Sequence, residues 1–165
     1  MDHRILSHQQ ILHKINRIAY QIYESNVDEK EIVLAGIEGG GLDFAKKIKR
    51  ALEKICPAEI QLCKVQMDKA DPLKSGIRTS LKPEAYQGRS VVVVDDVLKS
   101  GATLIYAVHH FLNTPLKLLK TAVLVDRNYK RYPIKADFKG LSLSTSLEEH
   151  VRVDFSPKDY GVYLD

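Results

Sequence analysis

The sequence predicts an α/β fold: a doubly wound, mostly parallel sheet with helices on both faces and a small β hood. Three observations predict it. Val91 to Val94 form an uninterrupted β-branched run, the mark of a strand buried on both faces. Apolar strand segments alternate with amphipathic helical ones along the chain, which is the pattern of parallel strands joined by helices. The valine run ends in Asp95-Asp96 and passes through Lys99-Ser100-Gly101-Ala102-Thr103 into a helix. Buried unpaired charge is costly, so these acids belong at the strand's carboxyl edge, where open α/β sheets bind ligands.

In chain order, Ile11, Ile15, Ile18, Ala19 and Ile22 recur at helical spacing and predict a scaffold helix over about 7 to 25. Glu31 to Ile37 reads as a short buried strand. It runs through Glu38-Gly39-Gly40-Gly41 into a helix with Ala45, Ile48, Leu52 and Ile55 facing inward, ended near Pro57. Ile60 to Met67 predicts another strand, with Cys63, Val65 and Met67 on one face. Residues 68 to 88 lack clean periodicity and carry Pro72, Gly76, Pro83 and Gly88. A connection this long inside a compact domain reads as a flexible lid or a disordered segment. After the valine strand, Leu104, Ala107, Val108 and Phe111 predict a helix broken at Asn113-Thr114-Pro115. Leu118 to Val125 is a further strand, ending at Asp126-Arg127. Phe138 to Leu143, and the alternation of Val151, Val153 and Phe155, are short strand candidates, and this tail supplies the hood.

The 165 residues fit one domain, 1–165. A hydrophobic share of 44% and a charged share of 28% are ordinary for a soluble globular protein. No apolar run approaches the ~20 residues of a membrane span, and MDHRILSHQQ holds no signal-peptide core. The expected location is the cytoplasm, with no membrane partner. Cys56 and Cys63 make neither a metal pattern nor a disulfide framework and are expected to be reduced packing residues. The histidines form no metal constellation. A net charge of +4 suits an anionic small molecule and permits nucleic acid.

Asp95-Asp96 with Ser100, Gly101 and Thr103 carries the chemistry. An ordinary capped turn explains one hydroxyl residue, but not two adjacent acids after four valines. The acids offer acceptors for sugar hydroxyls, and the helix start offers N–H groups and hydroxyls for a phosphate. The ligand indicated is a ribose 5-phosphate. Adjacent strand residues point to opposite sides. One carboxylate therefore faces the ligand, and the other reaches it through water or metal unless the chain bends at the edge. The glycines after Glu38 let backbone N–H groups approach an oxyanion closely, although a plain tight turn is the alternative. Lys130-Arg131, with Arg127 and Lys120, make a basic stretch that by itself reads as a solvated face.

VVVVDDVLKSGAT resembles the phosphoribosyl-pyrophosphate (PRPP) motif of type I phosphoribosyltransferases, with Ser100 for the usual Thr. ILSHQQILHKINRIAYQIYESN, LAGIEGGG, and VLVDRNYKRYPIKADFKG with Ser144-Thr145-Ser146 extend the likeness along nearly the whole length. They are similar to the PyrR family of pyrimidine-operon RNA-binding regulators and uracil phosphoribosyltransferases. The resemblance implies the type I phosphoribosyltransferase fold and transfer of the ribose 5-phosphate of PRPP to a nucleobase, foremost uracil, with Mg²⁺ as cofactor. It implies Asp95 and Asp96 as catalytic residues holding the ribose hydroxyls and the metal. Lys99, Ser100, Gly101, Ala102 and Thr103 would hold the 5-phosphate, and Glu38, Gly39 and Gly40 would form the pyrophosphate loop. Arg127, Phe138 and Lys139 would line the base pocket, Phe138 by stacking, with plain core packing an equal alternative for Phe138. The implied partners are PRPP, a nucleobase and its nucleotide, further copies of the chain in a homo-oligomer, and RNA along the basic stretch.

The chain departs from the family in three places. Glu38, Gly39 and Gly40 stand where the family has basic and hydroxyl residues. An acid beside a pyrophosphate is unfavourable unless a metal lies between them, which opens a second reading: a nucleotide-sensing RNA-binding regulator with reduced or lost catalysis. Lys99 replaces both the acid of purine enzymes and the aromatic of the PyrR family. It argues against a third reading, hypoxanthine or guanine transfer. The lid lacks the family's aromatic-Arg-acid cluster near Asp68, and Lys74, Arg78 and Lys82 are candidates to replace its charge.

Overall fold

The computed structural model describes residues 3–144, 146 and 149–165. Thr145, part of the Ser-Thr-Ser segment quoted above, lies outside them. The chain opens with a strand, β1 (His3–Leu6), and a reciprocal cap. The Ser7 hydroxyl accepts the Gln10 N–H at 3.3 Å while the Gln10 side chain accepts the Ser7 N–H at 2.8 Å. That cap starts α1 (His8–Glu24), which buries the five residues its spacing predicts. β2 (Glu31–Ile37), α2 (Gly40–Ile55) and β3 (Glu59–Gln66) follow at the expected places. β4 (Arg78–Thr79) and α3 (Pro83–Tyr86) come next, then β5 (Ser90–Leu98), α4 (Ala102–Phe111) and β6 (Leu118–Asp126). β7 (Phe138–Ser142), β8 (Val151–Asp154) and β9 (Gly161–Leu164) complete the chain.

The main sheet has the order β4-β3-β2-β5-β6-β7, parallel throughout except for β4, which runs antiparallel to β3. The valine run occupies its centre. Val92 and Val94 pack toward α1 and α2 with Ile18, Phe44 and Ile48. Val91 and Val93 pack toward α4 with Leu104, Ala107 and Phe111. Both faces are therefore covered, and a β-branched residue suits every position. Cys56 and Cys63 are free and buried, in agreement with their reading as packing residues.

The hood is a separate antiparallel sheet of order β1-β9-β8. Its third strand comes from residues 3–6, which the sequence did not mark as a strand. Leu6 alone among them is buried, so no alternation shows. Residues 78 to 86, expected without regular structure, are tied to the scaffold. β4 pairs with β3, and Tyr86 is 1% exposed with its ring edge-on to Phe111 at 5.0 Å. The open connection thus narrows to about residues 67 to 77. Tyr86→Ala is expected to cost about 3–5 kcal/mol in urea denaturation, as loss of a buried ring does. A residue belonging to a mobile lid would cost almost nothing.

Among the described residues no helix is long and apolar enough to cross a membrane.

Candidate active site

The site forms just past the last β2–β5 pair, Gly36 with Val94, where the acids of β5 meet the first turn of α2 and β5 itself runs on beside β6 to Leu98. Asp95 is 5% exposed, and Asp96 is half-buried. Both carboxylates lie against glycines that open α2. A Cβ on Gly40 would stand 2.1 Å from Asp96 Oδ2, and one on Gly41 would stand 2.9 Å from Asp95 Oδ1. The glycine cluster is thus a seat for the acids, at a helix end whose dipole favours negative charge. Asp95 Oδ1 accepts the Asp96 N–H at 2.9 Å, and Asp96 Oδ1 accepts the Val97 N–H at 2.9 Å. Burial, and then the charge of Asp96, push the Asp95 carboxyl up to about 8. Lys69 Nζ opposes this from 3.9 Å.

Beyond the acids the chain turns at Gly101, whose φ of 90° is a left-handed conformation that favours glycine. The Ser100 hydroxyl accepts the Ala102 N–H at 3.2 Å, so that N–H is engaged inside the loop rather than aimed at a ligand. The Ser100 carbonyl accepts N–H groups from Arg131 and Tyr132, which ties the loop to the segment after β6. A Cβ on Gly101 would meet Ile134 Cγ2 at 2.5 Å, so a side chain there collides with this segment. Lys99, Ser100, Gly101 and Thr103 line a cavity of 210 Å³ together with Asp95 and Lys69. A second cavity of 380 Å³ adjoins it, shared by Asp95, Lys69, Lys99 and Thr103 and walled by Asp96, Arg127 and the hood residues His150 to Val153.

Several expected site residues lie elsewhere. Phe138 is 7% exposed in the core under α1 and α2 and lines neither cavity. It begins β7 opposite Ala122, well before the carboxyl edge, so the start of that strand is core and not a stacking platform. Lys139 Nζ reaches Asp126 Oδ2 at 3.7 Å, and Lys130 reaches the same oxygen at 3.3 Å. Arg127 is 2% exposed and donates to the carbonyls of Ser146 (3.1 Å) and Glu149 (2.7 Å), fastening the chain that leads into the hood. Arg127 and Lys130 are therefore engaged internally, and the expected basic stretch is weaker than its sequence. Glu38 lines neither of the two cavities. Its carboxylate pairs with Lys64 at 3.1 Å and accepts from the Gln66 amide, and Lys64 holds its pKa below the usual carboxylate range.

Lys69, His150 and Arg152 are site residues that the sequence reading missed. Val151 and Val153 marked a strand, and their alternation already required Arg152 to face the other side. Lys69 carries no local signal, because only the return of the 67–77 connection brings it to Asp95.

Comparison with known proteins agrees with this architecture. Residues 2–159 match the phosphoribosyl transferase domain family. The bifunctional protein PyrR of Streptococcus thermophilus is 38% identical over 144 residues, covering 84% of this chain and 82% of its own. That of Streptococcus pneumoniae (strain CGSP14) is 35% identical over 150 residues, covering 88% and 85%. Among solved structures, the hypoxanthine phosphoribosyltransferase of Trypanosoma cruzi superposes with a TM-score of 0.76 at 20% identity, covering 97% of this chain and 95% of that one. That likeness speaks for the fold alone. With the acids at the strand edge and the left-handed turn beside them, these matches establish that the chain belongs to the type I phosphoribosyltransferases, in the group that includes the PyrR proteins.

Proposed function

We propose that the protein transfers the 5-phosphoribosyl group of PRPP to uracil, giving UMP and pyrophosphate. The observation that carries this reading is the pairing, across two adjoining cavities, of Asp95-Asp96 with the Gly101 turn that opens α4. The PyrR relatives support the pyrimidine half of the proposal.

In this reading Asp95 and Asp96 accept the ribose hydroxyls, while Ser100, Gly101 and Thr103 hold the 5-phosphate at the amino end of α4. The bond from C1 to the pyrophosphate oxygen breaks with its electron pair leaving on the pyrophosphate, N1 of uracil bonds to C1, and the N1 proton passes to solvent. Carboxylates fixed near C1 favour the positive charge that develops there. The leaving pyrophosphate lies toward Gly39 and Gly40, with Lys69 beside it. A Cβ on Gly39 would stand 3.9 Å from Lys69 Nζ, so this ammonium already borders the loop. Glu38 does not repel the leaving group at full strength, because Lys64 offsets its charge. The connection over residues 67 to 77 closes over the site and excludes water.

Magnesium fits the donor chemistry of Asp95 and Asp96, both hard oxygen ligands. Among the described residues no group of three or more His, Cys, Asp or Glu could hold a metal ion, so most of its ligands would come from substrate and water, as is usual for this ion. When bound, it neutralises charge on the departing pyrophosphate.

The bifunctional relatives favour a second role beside catalysis: the nucleotide-bound protein reads RNA, with exposed Arg131 and Lys135 among its contacts. A turnover assay with PRPP, Mg²⁺ and separate bases tests the whole. UMP and pyrophosphate are expected from uracil, with hypoxanthine and guanine slower by roughly a hundredfold or more. PRPP and UMP binding without turnover would leave only the regulatory role. Faster turnover with a purine would overturn the pyrimidine assignment.

A further inference from the structure

The larger cavity has an unusual wall. Among the described residues its wall holds the cations Lys69, Lys99, Arg127 and Arg152, with His150 beside them, and two acids, Asp95 and Asp96. Most of these cations have protein partners. Arg127 holds the Ser146 and Glu149 carbonyls, Arg152 pairs with Asp165 at 3.2 Å, and Lys69 stands 3.9 Å from Asp95. Lys99 differs. Its side chain is exposed, it borders both cavities, and among the described residues its ammonium makes no ion pair or hydrogen bond. The buried acid on the neighbouring strand, Asp126, is shared by Lys130 and Lys139 and is not available to it. On the far wall, Arg152 is fixed in place, its guanidinium 4.5 Å from the centre of the Tyr163 ring. A positive charge without an internal partner therefore faces a preorganised cationic edge of the hood, across the space beyond the ribose clamp.

We infer that Lys99, with the His150–Arg152 edge of the hood, selects an acceptor pyrimidine that carries a negative charge in the pocket. This rests on the phosphoribosyl-transfer reading. A neutral ring leaves the Lys99 charge to water, whereas an anionic ring makes a charge-assisted hydrogen bond to it. Complementary charge of this kind chiefly sets which ligand is accepted. Two sources share the chemistry: a carboxylate on the ring, or a ring nitrogen that has lost its proton.

Two arms separate them, both run on the full chain and on Lys99→Met, which keeps the apolar stem without the charge. The first measures equilibrium binding of ribose 5-phosphate, cytidine 5′-monophosphate and orotidine 5′-monophosphate. The second compares turnover of uracil with that of the more acidic 5-fluorouracil. A ring-carboxylate pocket binds the orotidine nucleotide about tenfold more tightly than the cytidine nucleotide, and Lys99→Met brings the ratio toward one. A ring-ionisation pocket shows instead a preference for 5-fluorouracil that weakens in Lys99→Met. If ribose 5-phosphate binds but neither preference appears, or if a preference survives in Lys99→Met, the inference is overturned and the sugar–phosphate clamp stands. If ribose 5-phosphate and both nucleotides fail to bind, the clamp fails and the inference fails with it.

Discussion

Asp95→Asn is expected to abolish PRPP binding and, in the same protein, to raise the melting temperature. The two effects have one cause. Burial pushes the Asp95 carboxyl up to about 8 in the folded chain, whereas an unfolded chain releases that proton near pH 4. Between these values folding takes up a proton, so raising the pH weakens the fold. The wild-type protein, free of nucleotide and divalent cation, should lose stability steadily from about pH 4 to about pH 8. Asparagine keeps an oxygen to accept the Asp96 N–H, which Asp95 Oδ1 now accepts at 2.9 Å, and it carries no charge to desolvate. Relief of ~2 kcal/mol or more at pH 8 corresponds to a gain of about 5 °C or more for a chain of this size. Thermal melts at pH 5 and pH 8 check the first half, and a PRPP titration checks the second. A variant that melts lower at pH 8 would mean that Asp95 is charged and well paired in the fold. A variant that binds PRPP normally would remove Asp95 from the ribose clamp.

An acid held against its own stability is what a strand-edge binding site requires. In the proposed reading the ribose hydroxyls, and the metal where present, would meet a carboxyl group already fixed in place. Substrate then supplies the partners that the empty fold lacks, and PRPP should raise the melting temperature in proportion to its occupancy.

The features legible from sequence were those whose cause is local. Val91 to Val94 had to form a strand covered on both faces, and the packing of alternate valines toward α2 and α4 bears that out. Gly101 had to turn, because glycine has few other uses in such a place, whereas Asp95, expected at an open edge, is 5% exposed inside β5. The features that sequence left hidden depend on distant parts of the chain. Tyr86 sits in a stretch without periodicity and is buried only because Phe111 of α4 meets it. Phe138 reads equally well as a stacking platform or as core, and the register of β7 with β6 decides for core. Arg127 looks like a surface cation in a basic run, yet the carbonyls of Ser146 and Glu149 draw it inside. Lys69, His150 and Arg152 come to one site from a connection and from a second sheet, which no local pattern encodes.

Gly40 illustrates a residue whose type was visible but whose reason was not. The triple glycine read as an oxyanion loop, yet in the fold it first makes room for Asp96. Gly40→Ala puts a methyl group 2.1 Å from Asp96 Oδ2 and 2.5 Å from its Cγ. The backbone at Gly40 has no left-handed φ, and alanine suits a helix better than glycine by up to about 1 kcal/mol. The helix therefore survives and the carboxylate moves. PRPP affinity is expected to fall at least about tenfold, equivalent to ~1.4 kcal/mol, while stability changes by less than about 1 kcal/mol. Gly101→Ala, by contrast, combines a left-handed φ with the Ile134 collision and should lose stability as well as binding. A double-mutant cycle fixes the mechanism. If Gly40→Ala acts by displacing Asp96, it should cost almost no further affinity once Asp96 is already alanine, because residues in contact do not add independently. Additive losses would mean that Gly40 contributes through its own N–H to the pyrophosphate, and that the seat for Asp96 is incidental.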